Sequence, residues 1–435
     1  MTAGGRMFRA LRHPNFRLFF FCQGFSLIGT WMQQVALSWL VYRLTHSPFL
    51  LGFVGFVGMI PTFVCTPFAG VVSDRHDRRH ILAVTQILAL VQASVLTVLV
   101  FANRIEIWHM IVLSACMGFI NSFDAPVRQA FTVEMVEEHE DLGNAIALNS
   151  SMLNAARLIG PSIAGILVAS VGEGACFLIN AVSYIPVILS LFMMKIVKER
   201  TAAPSRNMIL ELKEGVGYAL RFPPIKWILA LLSLVSLMGA SFQVVLPIFA
   251  RDIFHGGPQT FGYLMTTSGL GAMAAALYLA GRKSVIGLAG FLTRMAGLFG
   301  ISMILFSFVR PLPAAMLIIA VAGFGMMAHM ASCNTILQTI VEEDKRGRVM
   351  SFYTMAFMGM MPFGSLLAGS LASHIGAPWT LVVSGVCCIL GMLFFMTKLP
   401  LIRKEIRPVY ARKGIIPEVA SGIRSAAGLE TLAGE

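Results

Sequence analysis

The stretch GFINSFDAPVRQAFTVEMVEE, residues 118–138, returns 205 positions later without a gap as GFGMMAHMASCNTILQTIVEE, residues 323–343. Five of the 21 positions are identical. Alone this similarity is weak, but it continues in two further blocks, one on each side. These blocks are 29–52 with 239–262, and 143–172 with 347–376. The chain therefore consists of two copies of one half.

The composition places both halves in a lipid bilayer. Of the 435 residues 57% are hydrophobic and 12% are charged, with a mean hydropathy of +0.78, which leaves too little polar surface for a soluble globule. Apolar stretches long enough to cross roughly 30 Å of hydrocarbon as helices recur along the whole chain. They lie at 16–42, 48–72, 80–101, 107–131, 143–170 and 175–195, and again at 226–250, 259–280, 285–308, 312–339, 349–374 and 378–397. The sequence predicts an all-α membrane protein with twelve transmembrane helices in two pseudo-symmetric six-helix bundles.

Lysine and arginine are unevenly distributed between the predicted loops. With the N-terminus in the cytoplasm, the cytoplasmic segments hold 27 of the 33 Lys and Arg residues, the positive excess expected of short cytoplasmic loops. We therefore expect both termini to be cytoplasmic. The net charge of +12 then reflects topology and attraction to membrane lipids, and no nucleic-acid partner is indicated. The seven cysteines lack paired spacing and a histidine partner, so neither disulfides nor a metal site is expected.

Changes in charge and proline content divide the chain into five parts. We predict a cytoplasmic N-terminus at 1–15, a first bundle at 16–195, a linker at 196–225, a second bundle at 226–397 and a mobile cytoplasmic tail at 398–435. Apolar residues at helical spacing within the linker predict a helix on the membrane surface. They are Ile209, Leu212, Val216 and Leu220. A partly disordered linker is the alternative.

A short polar turn, GVVSDRHDRR at residues 70–79, joins the second and third predicted helices. It resembles the signature loop G-x-x-x-D-R-x-G-R-R of the major facilitator superfamily. The residues on this pattern are Gly70, Asp74, Arg75, Arg78 and Arg79, and Asp77 stands where the pattern has glycine. That form is familiar in the drug and siderophore exporters that resemble enterobactin exporters.

The resemblance implies that this turn is a latch that closes the cytoplasmic side of the protein. Asp74 would face the positive N-terminal end of a helix from the other half, and the arginines would reach carboxylates or lipid phosphates. In the alternative interpretation, the arginines only enforce the membrane topology.

The fifth predicted helix contains ARLIGPSIAG at residues 156–165, which resembles the G-P-x-x-x-G element of proton-coupled exporters. Small residues four apart let another helix approach closely, and Pro161 removes one backbone hydrogen bond and permits a bend. The predicted bend involves Gly160, Pro161 and Gly165. Tight helix packing alone is the alternative explanation for the glycines.

Asp124 falls clearly inside a predicted helix, in the segment FDAPVRQA at 123–130 that also resembles this exporter branch. An intramembrane carboxylate is a candidate for proton coupling because a proton on it switches a local charge. Arg128, one helical turn away, is a candidate partner, although the two residues could form a static pair. The duplication places His329 opposite Asp124, which adds a second titratable candidate. A lone histidine in a helix is more often a satisfied polar residue.

Several polar residues fall where the superfamily resemblance places a central cavity. They are Gln23, Gln33 and Gln34 on the first predicted helix and Gln243 on the seventh. Arg157 lies near the midplane of the fifth helix, and its counterpart in the repeat is Met361, so the scaffold does not require the charge. An intramembrane guanidinium needs an anionic partner. The candidates are Asp124, an anionic or zwitterionic substrate, and the carbonyl end of a helix.

The fold implied by the resemblance is that of the major facilitator superfamily, in which two bundles rock about a central site. The resemblance also implies proton-driven antiport, with efflux of an amphipathic organic molecule such as a siderophore or drug from a bacterial inner membrane. We expect a monomer without a cofactor, and no phosphate-binding P-loop motif is present. The alternatives of the same fold are a lysophospholipid flippase and an uncoupled facilitator. A polytopic membrane enzyme is a remote alternative, because neither H-E-x-x-H nor G-x-S-x-G occurs.

Overall fold

The computed structural model describes residues 8–136, 138–194, 217–218, 221–282, 284–413 and 415. In this part of the chain twelve long helices follow a 3-10 turn at Arg9–Arg12, and no strand is present. The first half contains α1 Pro14–Thr45, α2 Pro48–Arg75, α3 Arg78–Phe101, α4 Ile107–Glu134, α5 His139–Val171 and α6 Glu173–Met193. The second half contains α7 Pro223–Ile248, α8 Pro258–Ala280, α9 Leu288–Phe308, α10 Leu312–Ile340, α11 in two segments, Glu343–Phe357 and Met360–Ile375, and α12 Ala377–Arg412.

These helices confirm the predicted all-α membrane fold. Eleven of them are long and apolar enough to cross a membrane. The other, α1, spans 32 residues and carries three glutamines among its apolar residues. At 1.5 Å per residue it is roughly 48 Å long, which also exceeds the thickness of the hydrocarbon core.

The duplication is visible in the backbone of the short turns. Gly172 follows α5 with a φ of +87°, and Gly376, its counterpart in the repeat, follows α11 with a φ of +82°. A residue with a Cβ atom is strained at such angles, so glycine permits each helix to turn directly into the next. We call the end of the bundle at this turn the far face. The basic face is the opposite end, where α1 begins and the loop at 75–79 lies.

Two helix pairs join the halves, and they are copies of one contact. Helix α11 packs on α2 where a Cβ atom on Gly369 would lie 2.7 Å from the carbonyl oxygen of Pro48 and 2.8 Å from the Cα of Gly52. Helix α5 packs on α8 where a Cβ on Gly165 would lie 3.1 Å from the carbonyl oxygen of Pro258 and 3.0 Å from the Cα of Gly262. Since Cβ atoms essentially never approach within 3.0 Å of another heavy atom, glycine is what allows these backbones to touch.

The structure corrects the predicted start of the C-terminal tail. The tail was placed at 398–435, but α12 continues to Arg412 because Ile402 and Ile406 are buried. The bend predicted in α5 stays a prediction, since α5 is helical on both sides of Pro161, and an interruption lies in α11 at residues 358–359. The surface helix expected at 209–220 lies outside the described residues, except for two helical residues at 217–218.

Candidate transport cavity and proton site

A small cavity of about 50 Å³ is lined by residues of both halves. Twelve of its described lining residues belong to the second half, and Arg157 of α5 is the one contribution from the first half. Gln243 of α7 lines the same space, so the structure brings together two of the residues predicted for the cavity. The remaining second-half residues are Gly239, Phe242, Ser268, Ala272, Phe299, Gly323, Met326, Met327, Met330, Phe357 and Met361.

Arg157 is held by a contact between α5 and α1. Its guanidinium carbon lies 5.7 Å from the centre of the Trp31 ring, a cation–π distance. Trp31 can come this close because Gly160 has no side chain, and a Cβ atom there would lie 2.5 Å from the Cβ of Trp31. Pro161 lacks an N–H group, so the carbonyl of Arg157 has no partner within the helix. Gly160 and Pro161 thus shape the surroundings of Arg157 while α5 stays helical.

The part of the lining that comes from α10 and α11 is apolar and rich in methionine. We define the methionine wall as Met326, Met327 and Met330 of α10 with Met361 of α11. Met361 is the counterpart of Arg157 in the repeat, and both residues face the same space. The described lining therefore has a cation from the first half and mostly apolar residues, together with Gln243 and Ser268, from the second.

The glutamines of α1 do not form part of this cavity lining. Gln33 is 6% exposed and lies inside the first bundle, so its placement in the cavity was wrong, and Gln23, 2% exposed, is not among the residues that line the cavity. The Gln33 amide donates to Gln92 of α3 at 3.0 Å and accepts from Asn180 of α6 at 2.8 Å. Gln34 is exposed and is not among the residues that line the cavity. The polar face of α1 is thus turned toward α3 and α6, where amide partners are available.

Asp124 is buried in the first bundle, with 5% of its surface exposed. One carboxylate oxygen accepts hydrogen bonds from the Gln86 amide at 2.7 Å and the Thr85 hydroxyl at 3.1 Å. The other lies 3.6 Å from a guanidinium nitrogen of Arg128. The expected pair of Asp124 and Arg128 is therefore present. Thr85 and Gln86 of α3 were not predicted as its partners, because sequence alone does not give the rotation of α3 about its axis.

His329 lies apart from this site, fully buried in the second bundle. Its Nδ1 lies 2.9 Å from the carbonyl oxygen of Leu292, which can only accept, so Nδ1 carries the proton and donates. Nε2 then faces the Cys333 thiol at 3.7 Å. Both ring nitrogens have partners, which favours the interpretation of His329 as a satisfied polar residue.

The loop at 75–79 is anchored within the first half. Arg78 donates to Glu134 of α4 at 2.7 Å, and Arg79 donates to the carbonyl of Phe192 in α6 at 2.8 Å. The carboxylate of Asp77 accepts from the backbone N–H of Arg79 at 3.0 Å and caps α3, which explains an acid in place of the pattern's glycine. Arg75 is exposed. Gly70 and Asp74 belong to the last turns of α2, and the side chain of Asp74 lies outside the described atoms.

At the far face, polar contacts close the cavity between the halves. The hydroxyl of Tyr42 on α1 donates to the carboxylate of Asp252, which follows α7. Nearby, the ring of Trp39 stacks on that of Phe261 at 6.4 Å. Deeper toward the midplane, the hydroxyls of Ser162 and Thr266 are 2.6 Å apart and join α5 to α8. The two halves are thus joined by several layers of contact on the side of the far face.

Comparisons with known proteins agree with this architecture. The family model for transmembrane secretion effectors, MFS_3, matches residues 6–425. The chain belongs to this family. It is therefore a major facilitator transporter, and the predicted likeness to drug and siderophore exporters is confirmed.

Known relatives of this transporter match it along most of their length. The staphyloferrin A transporter of Staphylococcus aureus is 28% identical over 385 residues, which cover 87% of this chain and 96% of that protein. The multidrug efflux pump Tap of Mycolicibacterium fortuitum is 25% identical over 360 residues, which cover 80% of this chain and 87% of that one. The crystal structure of a POT family transporter in complex with 5-aminolevulinic acid superimposes with a TM-score of 0.72 at 13% identity, covering 89% of this chain and 96% of that chain. That structural likeness shows the fold alone.

The methionine wall is the part of the cavity lining that the sequence did not lead us to expect. Its signal was present, since Met326 and Met330 stand four residues apart on one face of α10. Met361 was recognised only as the counterpart of Arg157. An apolar residue in a membrane helix resembles every lipid-facing residue, so the wall becomes apparent only when the cavity is seen.

Proposed function

We propose that this transporter is a proton-coupled exporter of an amphipathic organic molecule and works by alternating access. The observation that carries the proposal is the buried carboxylate of Asp124, which is held by Gln86, Thr85 and Arg128. The cavity is lined by one cation and by several apolar residues, which supports an amphipathic cargo. The functions of the relatives, staphyloferrin A transport and multidrug efflux, support an organic cargo.

The distribution of charge supports the orientation of the transporter in the membrane. We place the basic face and both termini in the cytoplasm of a bacterial cell, because 27 of the 33 Lys and Arg residues fall on that side. The contacts at the far face then close the cavity toward the outside. Both walls of the cavity come from one chain, which supports a monomer as the working unit.

A proton on Asp124 changes the forces on its neighbours. The deprotonated carboxylate attracts Arg128 and accepts hydrogen bonds from α3, which ties α3 to α4. Protonation removes the charge that attracts Arg128 and leaves the guanidinium uncompensated within the bundle. The two protonation states therefore favour different arrangements of α4. A conformational change that alters proton affinity in this way couples the proton gradient to transport.

The test uses purified protein in liposomes that are made acidic inside. Uptake of two amphipathic dyes, ethidium and 8-anilinonaphthalene-1-sulfonate, is followed with and without the pH gradient. We expect the gradient to drive uptake of at least one dye, and Asp124→Asn to abolish the response to the gradient. Glu173→Gln is the matched control, because Glu173 is also a buried carboxylate paired with an arginine, Arg43 at 2.7 Å, but lies at the far face.

Three results would contradict parts of this proposal. Dye movement that is equal with and without the gradient would identify an uncoupled facilitator. Gradient-driven uptake by Asp124→Asn at the wild-type rate would remove Asp124 as the coupling site. Loss of coupling in both Asp124→Asn and Glu173→Gln would mean that any buried ion pair of the first half has this effect.

A further inference from the structure

We infer that the cargo is an organic monoanion with an apolar body, whose charged group binds Arg157 and whose body packs on the methionine wall. This inference rests on the proposed function, because it assigns the cargo of the same cavity. It is carried by the contrast between the two walls and by the absence of an acid that could neutralise Arg157 from within the described protein.

The guanidinium of Arg157 has no protein counter-ion in the described part of the chain. No ion pair joins it to a carboxylate there, and the cavity lining contains no Asp or Glu. Asp124, the nearest candidate from the sequence, is engaged by Arg128 instead. The contact with the Trp31 ring stabilises the cation but does not neutralise it. A charge at this depth is costly, so an anion from the cargo is the partner that completes the site.

The number of charges in the cavity sets the charge of the cargo. Arg157 is the one cationic residue among the described lining residues, and Gln243 offers a neutral amide. A second negative charge on the cargo would enter the same space without a cation to meet it and would lose its hydration. A neutral or cationic molecule would leave Arg157 unpaired. The site therefore favours a single negative charge.

The methionine wall defines the other part of the cargo. Methionine is unbranched and polarisable, so Met326, Met327, Met330 and Met361 can fit apolar bodies of different outline and contact aromatic rings through sulfur. The methionine wall thus favours molecules with an apolar body but discriminates little between bodies of different shape. Because the charge and the wall lie on different halves, the cargo binds in one orientation, with its charged group toward the first half.

The duplication provides a direct test of this charge assignment. Arg157 and Met361 occupy corresponding positions of the two halves and line the same cavity. In the double variant Arg157→Met with Met361→Arg, the cation is moved across the cavity. We expect Arg157→Met alone to lose anion preference and the double variant to recover it. A merely structural role of Arg157 beside Trp31 would not be rescued by a charge on α11.

Binding is measured by equilibrium dialysis on protein in nanodiscs, with four probes that share one ring system. They are 2-naphthoate, 2-naphthamide, 2-naphthylmethylammonium and naphthalene-2,6-dicarboxylate. We expect 2-naphthoate to bind the wild type about tenfold or more tightly than the other three, the size of effect for a hydrogen bond to a charged group. Arg294→Gln is the matched control, since Arg294 is a second intramembrane arginine, exposed on α9 and bonded to the Gly290 carbonyl at 3.3 Å.

The outcomes separate this inference from the proposed function. Equal binding of 2-naphthamide and 2-naphthoate, absence of saturable binding of all four probes, or unchanged selectivity in Arg157→Met would overturn the inference. Gradient-driven transport of a neutral or cationic dye by the same preparation would leave the proposed function intact. Selective binding of 2-naphthoate without any effect of the pH gradient on transport would instead reject the proposed coupling. Size-exclusion profiles and melting temperatures identify variants that fail to fold.

Discussion

The contact between Gly52 and Gly369 predicts how strongly a single methyl group would change the balance between the two states of the transporter. A Cβ atom on Gly52 would lie 2.7 Å from the Cα and 2.9 Å from the backbone nitrogen of Gly369, and closer still to the carbonyl oxygen of Ser365. Ordinary contacts begin at 3.4 Å, so α2 and α11 must separate by about 1 Å to relieve the closest of these contacts. Because all these neighbours are backbone atoms, no rotamer change relieves the clash.

The cost of this separation falls on the state in which the far face is closed. Overpacking of this kind typically costs about 1–3 kcal/mol. When the halves move apart at the far face, the added methyl group is accommodated. The methyl group therefore destabilises the closed state alone, and the equilibrium shifts toward the state that is open at the far face. At 1.4 kcal/mol per factor of ten, Gly52→Ala should favour the state open at the far face by roughly 5- to 150-fold.

Distances between spin labels at positions 104 and 310, on far-face loops of the two halves, report this shift by electron paramagnetic resonance. We expect Gly52→Ala to increase the population with the longer distance strongly. We expect the same of Gly262→Ala, because a Cβ atom at position 262 would lie 2.8 Å from the carbonyl oxygen of Pro161. Gly55→Ala is the matched control on the same helix, since its Cβ would lie 3.5 Å from the Cβ of Ser365, an ordinary contact. If Gly52→Ala and Gly55→Ala gave the same distance distribution as the wild type, this reasoning would be refuted.

Three further changes have expected outcomes. Tyr42→Phe removes the hydroxyl that binds Asp252 across the halves and should increase the longer distance between spin labels at positions 104 and 310, whereas Tyr353→Phe, whose hydroxyl binds within the second half, should not. Asn180→Leu leaves Gln33 without its donor and should lower the free energy of unfolding by about 1–3 kcal/mol, with a reduced melting temperature in detergent; an unchanged melting temperature would show that the amide network contributes little. Pro161→Ala should restore a hydrogen bond to the carbonyl of Arg157, raise the melting temperature and slow transport, and faster transport would argue against a role for flexibility in α5.

The sequence predicts the scaffold well because the duplication tests each assignment twice. Pro48 and Gly52 correspond to Pro258 and Gly262 in the repeat. In the structure each of these pairs contacts a glycine of the other half. Glycine at a helix contact has one physical meaning, the close approach of two backbones. A repeated glycine therefore identifies a contact surface before any coordinates are known.

Side-chain direction around a helix is predicted less well. Gln33 and its counterpart Gln243 were assigned to one cavity, but Gln33 faces Gln92 and Asn180 while Gln243 faces the cavity. In a membrane every face of a helix is apolar, so hydropathy does not distinguish the bundle interior from the lipid or from the cavity. The direction of Gln33 is decided by partners on α3 and α6, whose rotation the sequence does not give.

The paired glycine contacts also bear on the origin of the chain. Helix α11 is the copy of α5, and α8 is the copy of α2, so both contacts join a second helix of one half to a fifth helix of the other. Such an interface is isologous, the kind that two identical subunits form about a twofold axis. A six-helix ancestor could thus have assembled as a homodimer through this surface before its gene was fused. Only after fusion could Arg157 and Met361 diverge, because in a homodimer one position must serve both sides of the cavity.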